Sequence, residues 1–386
     1  MEISRAIQEK NPAERRLSYY YKMKNFLIFL FILIIASIAC LLSPAVAQPK
    51  PQSQTFQLNS GWEQLIGVGF YSLFSPQMKY QQFARITRDS GCNLVRVWAY
   101  NSYGKYFPWK KNPRGRYDLR QLDREYFKMM SQRIAHLHRL GLKVMLVLFD
   151  ESGLRALPGA WENHAWNWRN NVNGFIKAPK QGIPDFYQPE YWPFQRRYLD
   201  MMWQMVGKKF NHSILFEINN EGSSGWQWEK RVIAHLRAKG ARYIASSSKV
   251  DMEQIIPLVD IYSFHGVNLA EQVDASHQGK KYMWSSDGKM QGSSGVIQFK
   301  GRPETGHYPS VEEIHQLTKK VLQIGGHLEF NLSGRLEANN GLYDSFLLKL
   351  IGGIRQAVAK KYRKTKDKQR GSKRGKIKSP GVPPLP

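Results

Sequence analysis

The sequence predicts an α/β fold, a single-domain (β/α)8 barrel of the TIM type covering residues 62–355. Three observations predict it. Eight short apolar runs recur along the chain, amphipathic helical patterns separate them, and polar and aromatic residues gather just past the C-terminal end of each run. The runs are not strictly alternating, as expected for parallel strands buried on both faces. The domain also has the size such a barrel needs, roughly 250 residues or more.

The strand-like runs are, in order, residues 66–70 (IGVGF), 93–98 (NLVRVW), 143–149 (KVMLVLF) and 213–218 (SILFEI), then 242–246 (RYIAS), 259–264 (VDIYSF), 281–285 (KYMWS) and 326–331 (GHLEFN). The clearest helical pattern covers 119–140. Asp118 is placed to cap it, Leu122, Tyr126, Met129, Met130, Ile134 and Leu137 follow at helical spacing, and Gly141 closes it. Further helical patterns cover 190–210, 226–239, 310–324 and 342–361. A doubly wound open sheet is the competing fold. It lacks support because IGVGFYSLF has no third glycine and no following cap of a phosphate-binding turn.

The ends of the chain read differently. Residues 1–22 are an N-terminal extension before Met23. Residues 23–47 hold the apolar stretch NFLIFLFILIIASIACLL, preceded by Lys22 and Lys24 and followed by Ala45-Val46-Ala47. This pattern predicts a cleaved signal peptide, with an uncleaved membrane anchor as the alternative, so the protein is expected to be exported. Residues 48–61 form a linker. Residues 356–386 are expected to be a disordered basic tail: positions 355–378 hold 12 Lys or Arg against one acid, Asp367, and so supply +11 of the net +27. Such a tail suits an anionic membrane or wall polymer, and nucleic acid is not an expected partner of an exported chain. Cys40 lies in the signal and Cys92 stands alone, which excludes an intramolecular disulfide in the mature part and a cysteine metal site.

In a barrel, chemistry sits on the loops after the strand C-termini. The second run ends in Arg96-Val97-Trp98 and the third in Asp150-Glu151. The loop after the third run is long and carries Trp161, His164, Trp166 and Trp168. The fourth run ends in Asn219-Asn220-Glu221, the sixth in Tyr262-Ser263-Phe264-His265, and the seventh in Ser285-Ser286-Asp287. Each alone is an unremarkable polar loop residue; it is their shared end of the barrel that points to a site. Neither a metal nor a cofactor is called for. His136 and His138 stand at i, i+2 on a helix and do not face one another, and no G-x-S-x-G nucleophile turn occurs.

With these residues in view, the chain resembles the retaining glycosidase superfamily of cellulases and mannanases, clan A, over roughly residues 62–355. The motif carrying most of the resemblance is FEINNEG at 216–222, with NLVRVW at 93–98 and VDIYSFHG at 259–266 beside it. The resemblance implies that Glu221 is the acid/base, that Asn220 contacts a sugar hydroxyl, and that Arg96 supports the nucleophile. It also implies that Tyr262 or His265 is a hydrogen-bonding partner. The seventh run departs from the family pattern: KYMWSSDG offers Asp287 where the family has a Glu nucleophile. The eighth also departs, with Glu329 in HLEFN and no tryptophan platform, so Trp284 or a loop tryptophan is expected to replace it. Trp98, Trp166 and Trp168 are candidate sugar-stacking rings, since pyranose faces are apolar and pack on flat aromatic surfaces.

The expected activity is hydrolysis of O-glycosidic bonds in a poly- or oligosaccharide, an anionic one among the candidates, by a Glu221/Asp287 carboxylate pair. Glycosidase chemistry needs one carboxyl protonated and the other ionised. Glu221 is expected in an apolar setting that keeps its proton, and Asp287 near Arg96 as the ionised partner. The alternative is a non-catalytic glycan-binding relative at the cell surface, favoured by Asp287 and the basic tail.

Overall fold

The computed structural model describes residues 64–100, 106–156, 159–174, 189–223, 225–265, 281–285, 326–332, 339–345 and 347–359, together with 312, 315, 316, 318, 319 and 336. All of them lie in one compact unit, Ser53–Pro386. In chain order the strands are β1 (Ile66–Phe70), β2 (Leu94–Trp98), β3 (Trp109–Lys111), β4 (Tyr117–Leu122), β5 (Lys143–Phe149), β6 (Ile214–Asn219), β7 (Ile244–Ser246), β8 (Ile261–His265), β9 (Lys281–Ser285) and β10 (His327–Asn331). All but β3 and β4 join in one closed barrel, each strand parallel to its neighbours, with β10 pairing back onto β1. All eight predicted runs are strands of this barrel.

Helices cover the outside. They include α1 (Tyr80–Asp89), α2 (Arg124–Arg139), α3 (Trp192–Met202) and α4 (Trp226–Lys239). Helix α2 starts later than its pattern predicts. Asp118 lies inside β4, and Asp123 is the cap, its side chain accepting from the Glu125 backbone N–H at 3.0 Å. The antiparallel β3–β4 hairpin occupies the residues read as the first turn of the helix. At the other end, residues 347–359 are helical. Ala357 and Val358 are buried there, so the packed chain runs past the expected boundary at 355. Residues 1–63, with the apolar N-terminal stretch, and 360–386 of the basic tail lie outside the described residues.

The two-residue period of a strand sorts the barrel interior into layers. Leu94, Met145, Leu215, Ala245, Ile261 and Met283 form one buried apolar cluster with Leu65 and Tyr243. Two residues further toward the C-terminal end, the same inward face carries Arg96 after Leu94, Glu217 after Leu215 and Ser247 after Ala245. The alternate residues, such as Val95, Leu146, Phe216 and Ile218, belong to the larger core beneath the helices. An apolar floor thus supports a polar layer, and the polar layer opens onto the strand C-termini.

Candidate active site

The polar layer is built around Arg96. Its guanidinium grips Glu217 in a two-point contact, Nε to Oε2 at 2.7 Å and Nη2 to Oε1 at 2.8 Å. Nη2 also donates to Asn220 Oδ1 at 2.7 Å, and Nη1 lies 3.7 Å from Glu329 Oε2. Arg96, Glu217 and Glu329 are all fully buried. A planar fork suits this arrangement because it meets a carboxylate at two points and keeps further donors for other partners. Gly69 of β1, in register with Arg96 and Asn331, makes the space: a Cβ there would run into Glu329 Oε1.

Asn220 is held on both sides of its amide. Besides accepting from Arg96, it donates through Nδ2 to Asp150 Oδ1 at 2.9 Å and to the Tyr71 hydroxyl at 3.3 Å. The next residue, Glu221, has a left-handed backbone, φ 48°, which costs a non-glycine residue roughly 1–3 kcal/mol and is typical of functional turns. Its N–H donates to Ser247 Oγ at 3.1 Å. Gly222 follows because a Cβ there would lie 2.6 Å from Asn219 Nδ2 and 2.8 Å from Glu229 Oε1.

The Glu221 carboxyl is not in an apolar pocket. Oε1 lies 3.2 Å from His265 Nδ1, while Oε2 lies 2.6 Å from Lys249 Nζ and accepts from Ser152 Oγ at 2.9 Å. Burial pushes this carboxyl up, but the hydrogen bonds and charges of His265 and Lys249 outweigh it. They hold Glu221 well below the ordinary carboxylate range. The expectation of a protonated Glu221 is thereby corrected for the substrate-free protein.

Several expected sugar contacts are packing residues. Trp166 is buried in an aromatic cluster with Trp109, Tyr191 and Phe194. His164 belongs to the same region, against Tyr100 and Phe107, where burial lowers its pKa to about 3. Trp98 is buried between the Arg96 guanidinium, 4.4 Å from its ring, and Tyr71, stacked at 3.7 Å. Tyr71, just past the end of β1, is half-buried. Tyr262 is buried and donates to the Ser248 carbonyl, so its hydroxyl buttresses the turn after β7. Trp168 does remain exposed, with the Arg169 guanidinium 5.3 Å from its ring. Trp284 lies in β9, in register with Phe264 and Leu328. Asp287 lies outside the described residues.

The sequence reading missed Tyr71, Ser152, Glu217, Ser247 and Lys249. Glu217 was within reach, since it stands two residues after the inward-facing Leu215. Ser247 joins it to the site, its hydroxyl donating to Glu217 Oε1 at 2.6 Å with the Asn219 carbonyl also in reach at 3.0 Å. Behind this turn sits Glu229 of α4, fully buried, accepting from Ser246 Oγ at 2.7 Å. Burial raises its pKa to about 8. Ser246 and Ser248 pull it down, and the Glu151 and Glu217 charges add to the rise.

Glu229 gives a pH test. Its folded pKa lies above the ordinary 4.5, so the fold binds a proton that the unfolded chain releases. The stability it contributes is complete below about pH 4.5 and is lost as pH rises toward 8. Glu229→Gln should remove that loss, worth about 1.4 kcal/mol per pH unit at most. Urea midpoints at pH 5 and pH 8.5 check it; the parent should fall relative to the variant, and parallel values would count against a neutral Glu229.

Among the described residues no group of three or more His, Cys, Asp or Glu side chains is arranged to hold a metal. Cys92 is buried, which raises its thiol pKa to about 12.

Residues 52–289 match the sequence profile of the cellulase family, glycosyl hydrolase family 5. Solved structures of similar fold include the endo-1,4-beta-mannanase from Rhizomucor miehei, at TM-score 0.54 and 13% identity, covering 79% of this chain and 97% of that one. The endo-1,4-beta-D-mannanase from Thermotoga petrophila RKU-1 aligns at TM-score 0.52 and 14% identity, over 77% of this chain and 99% of that one. A family 5 mannosidase from Rhizomucor miehei aligns at TM-score 0.51 and 12% identity, over 78% and 94%. At these identities the likeness is one of fold. No curated protein matches the chain.

Proposed function

We propose, from the premise that this chain belongs to glycosyl hydrolase family 5 and is a glycoside hydrolase, that it is an exported enzyme cleaving a polysaccharide with Glu221 as acid/base. The observation that carries this reading is the Asn220–Glu221 pair at the open end of the barrel. Asn220 is fixed by Arg96, Asp150 and Tyr71, and Glu221 is turned out on a left-handed backbone beside Ser152, Lys249 and His265. Asn220 would hold a sugar hydroxyl, and Glu221 would hand a proton to the leaving oxygen and take one back from water. Asp287 is the proposed second carboxylate, acting as nucleophile or as base toward water, and His265 keeps Glu221 in place. The mannanase and mannosidase neighbours make β-linked mannans and glucans the first substrates to try. Reducing ends released from a panel of such polymers by the parent, and not by Glu221→Gln, would bear the proposal out. A well-folded parent that cleaves none of them would count against it.

Export rests on the apolar stretch 25–42 with its preceding lysines and small-residue site. The basic tail is proposed to bind an anionic membrane or wall polymer. Truncation after residue 359 should leave thermal stability and hydrolysis of soluble oligosaccharides intact while lowering binding to anionic vesicles. That difference should fade at 1 M salt, where screening cuts the reach of exposed charges to roughly 3 Å. A difference that survives 1 M salt would exclude a purely electrostatic tail.

A further inference from the structure

We propose that Lys249 selects a substrate bearing an anionic group next to the cleaved bond, and that on binding it exchanges Glu221 for that group. The inference rests on the assignment of Glu221 as acid/base and adds the substrate class. Among the partners of the Glu221 carboxyl in the described residues, His265 holds Oε1, whereas Lys249 and Ser152 share Oε2. Lys249 is the exposed one of the three. Its backbone N–H is pinned to the Gly222 carbonyl at 2.9 Å, and the preceding residue is fixed by Ser248 Oγ and by Tyr262. Its side chain is 53% exposed and carries the charge on a flexible four-carbon stem. The backbone anchor is hydrogen-bonded while the side chain reaches solvent, so the ammonium can leave Oε2 without moving the turn.

Charge balance then decides what it swings to. To protonate a leaving oxygen Glu221 must first be neutral, and an ammonium 2.6 Å from Oε2 opposes that proton. Once Glu221 is neutral, Lys249 has lost its counter-charge, and no other acid pairs with it among the described residues. A neutral sugar offers the ammonium hydroxyl acceptors but no counter-charge. A sugar carboxylate or sulfate does: it takes the ammonium, frees Oε2, and lets Glu221 take up a proton from solvent while His265 keeps the carboxyl oriented. Long-range charge works in the same direction. The chain carries +27, of which +11 lies in residues 355–378, so a surplus of positive charge outside that stretch steers anions toward the protein.

The test compares three tetrasaccharide probes on the full chain: a β-1,4-linked oligoglucuronate, a sulfated β-1,4-glucan oligomer and the unmodified glucan oligomer. The parent should favour at least one charged probe over the neutral one in kcat/KM; which one it is separates carboxylate from sulfate recognition. Lys249→Met should lower that charged-to-neutral ratio at least tenfold, mainly through KM, and Lys249→Arg should keep most of it. Equal preference in the parent, or a ratio that Lys249→Met leaves alone, overturns the proposal while hydrolysis itself stands. Calorimetric binding to Glu221→Gln gives a second readout. If the parent cleaves neither these probes nor the mannans and glucans above, but charged probes bind and Lys249→Met abolishes binding, the acid/base assignment fails and the anion site stands. If no charged probe binds either, both are gone.

Discussion

Glu221→Gln should lose roughly 10²- to 10⁴-fold in kcat on substrates with sugar leaving groups, the usual share of general acid–base catalysis. The amide keeps the shape of the side chain and can still bond His265 and Ser152, but it has no proton to give. An aryl glycoside with an acidic phenol needs little protonation, so its bond-breaking step should survive in the variant. The contrast between leaving groups is what marks an acid; a uniform loss on both would point to a damaged site or an electrostatic role. The pH dependence carries the same signature. Lys249 and His265 hold Glu221 ionised in the free enzyme, so the competent protonated form grows as pH falls. The parent kcat/KM for sugar leaving groups should therefore rise from neutral toward acid pH, since this parameter reports the free enzyme. The aryl glycoside should not follow it. Stability runs the other way, because a carboxyl whose pKa is depressed in the fold stabilises it above the ordinary carboxylate range and loses that contribution as pH drops.

The barrel strands were legible because burial on both faces leaves an unbroken apolar run, and all eight runs became strands. The β3–β4 hairpin was not. Tyr117, Leu119 and Leu122 are buried positions of a strand, yet Leu122 continues at helical spacing into Tyr126 and Met130, so one apolar pattern served two elements. Missing the hairpin also hid the partner of the aromatic loop. Tryptophans that seemed to need a sugar, Trp166 above all, pack against Trp109 of β3. Composition alone cannot tell a ring that lines a cleft from one that fills a core. The position of Asn220 and Glu221 at the C-terminal end of a barrel strand was legible because one short motif carries them. Lys249 was not, because its role depends on contact across 28 residues of chain and no local pattern records that.

Arg96→Met should be the most damaging single change to the fold. It leaves Glu217 and Glu329 in the barrel interior without the cation that meets both, and neither side chain reaches solvent. Removing one partner of a buried ion pair costs about 3–5 kcal/mol, because the remaining buried charge loses its counter-ion and cannot recover water. For a domain of about 290 residues that is a fall of roughly 5–8 °C in Tm. Arg96→Lys should recover only part of it, since a single ammonium cannot meet Glu217 at two points and Asn220 Oδ1 as well. Adding Glu217→Gln to Arg96→Met should restore some of the loss by removing one of the stranded charges. The double variant is then more stable than the sum of the two single effects, by the 0.5–3 kcal/mol expected of residues in contact. Simple additivity in chemical denaturation would show that the two-point contact carries no coupling energy. The same substitution should lower activity in the fraction that stays folded. Asn220 loses the donor that fixes its amide, and with it the alignment of the residue beside Glu221.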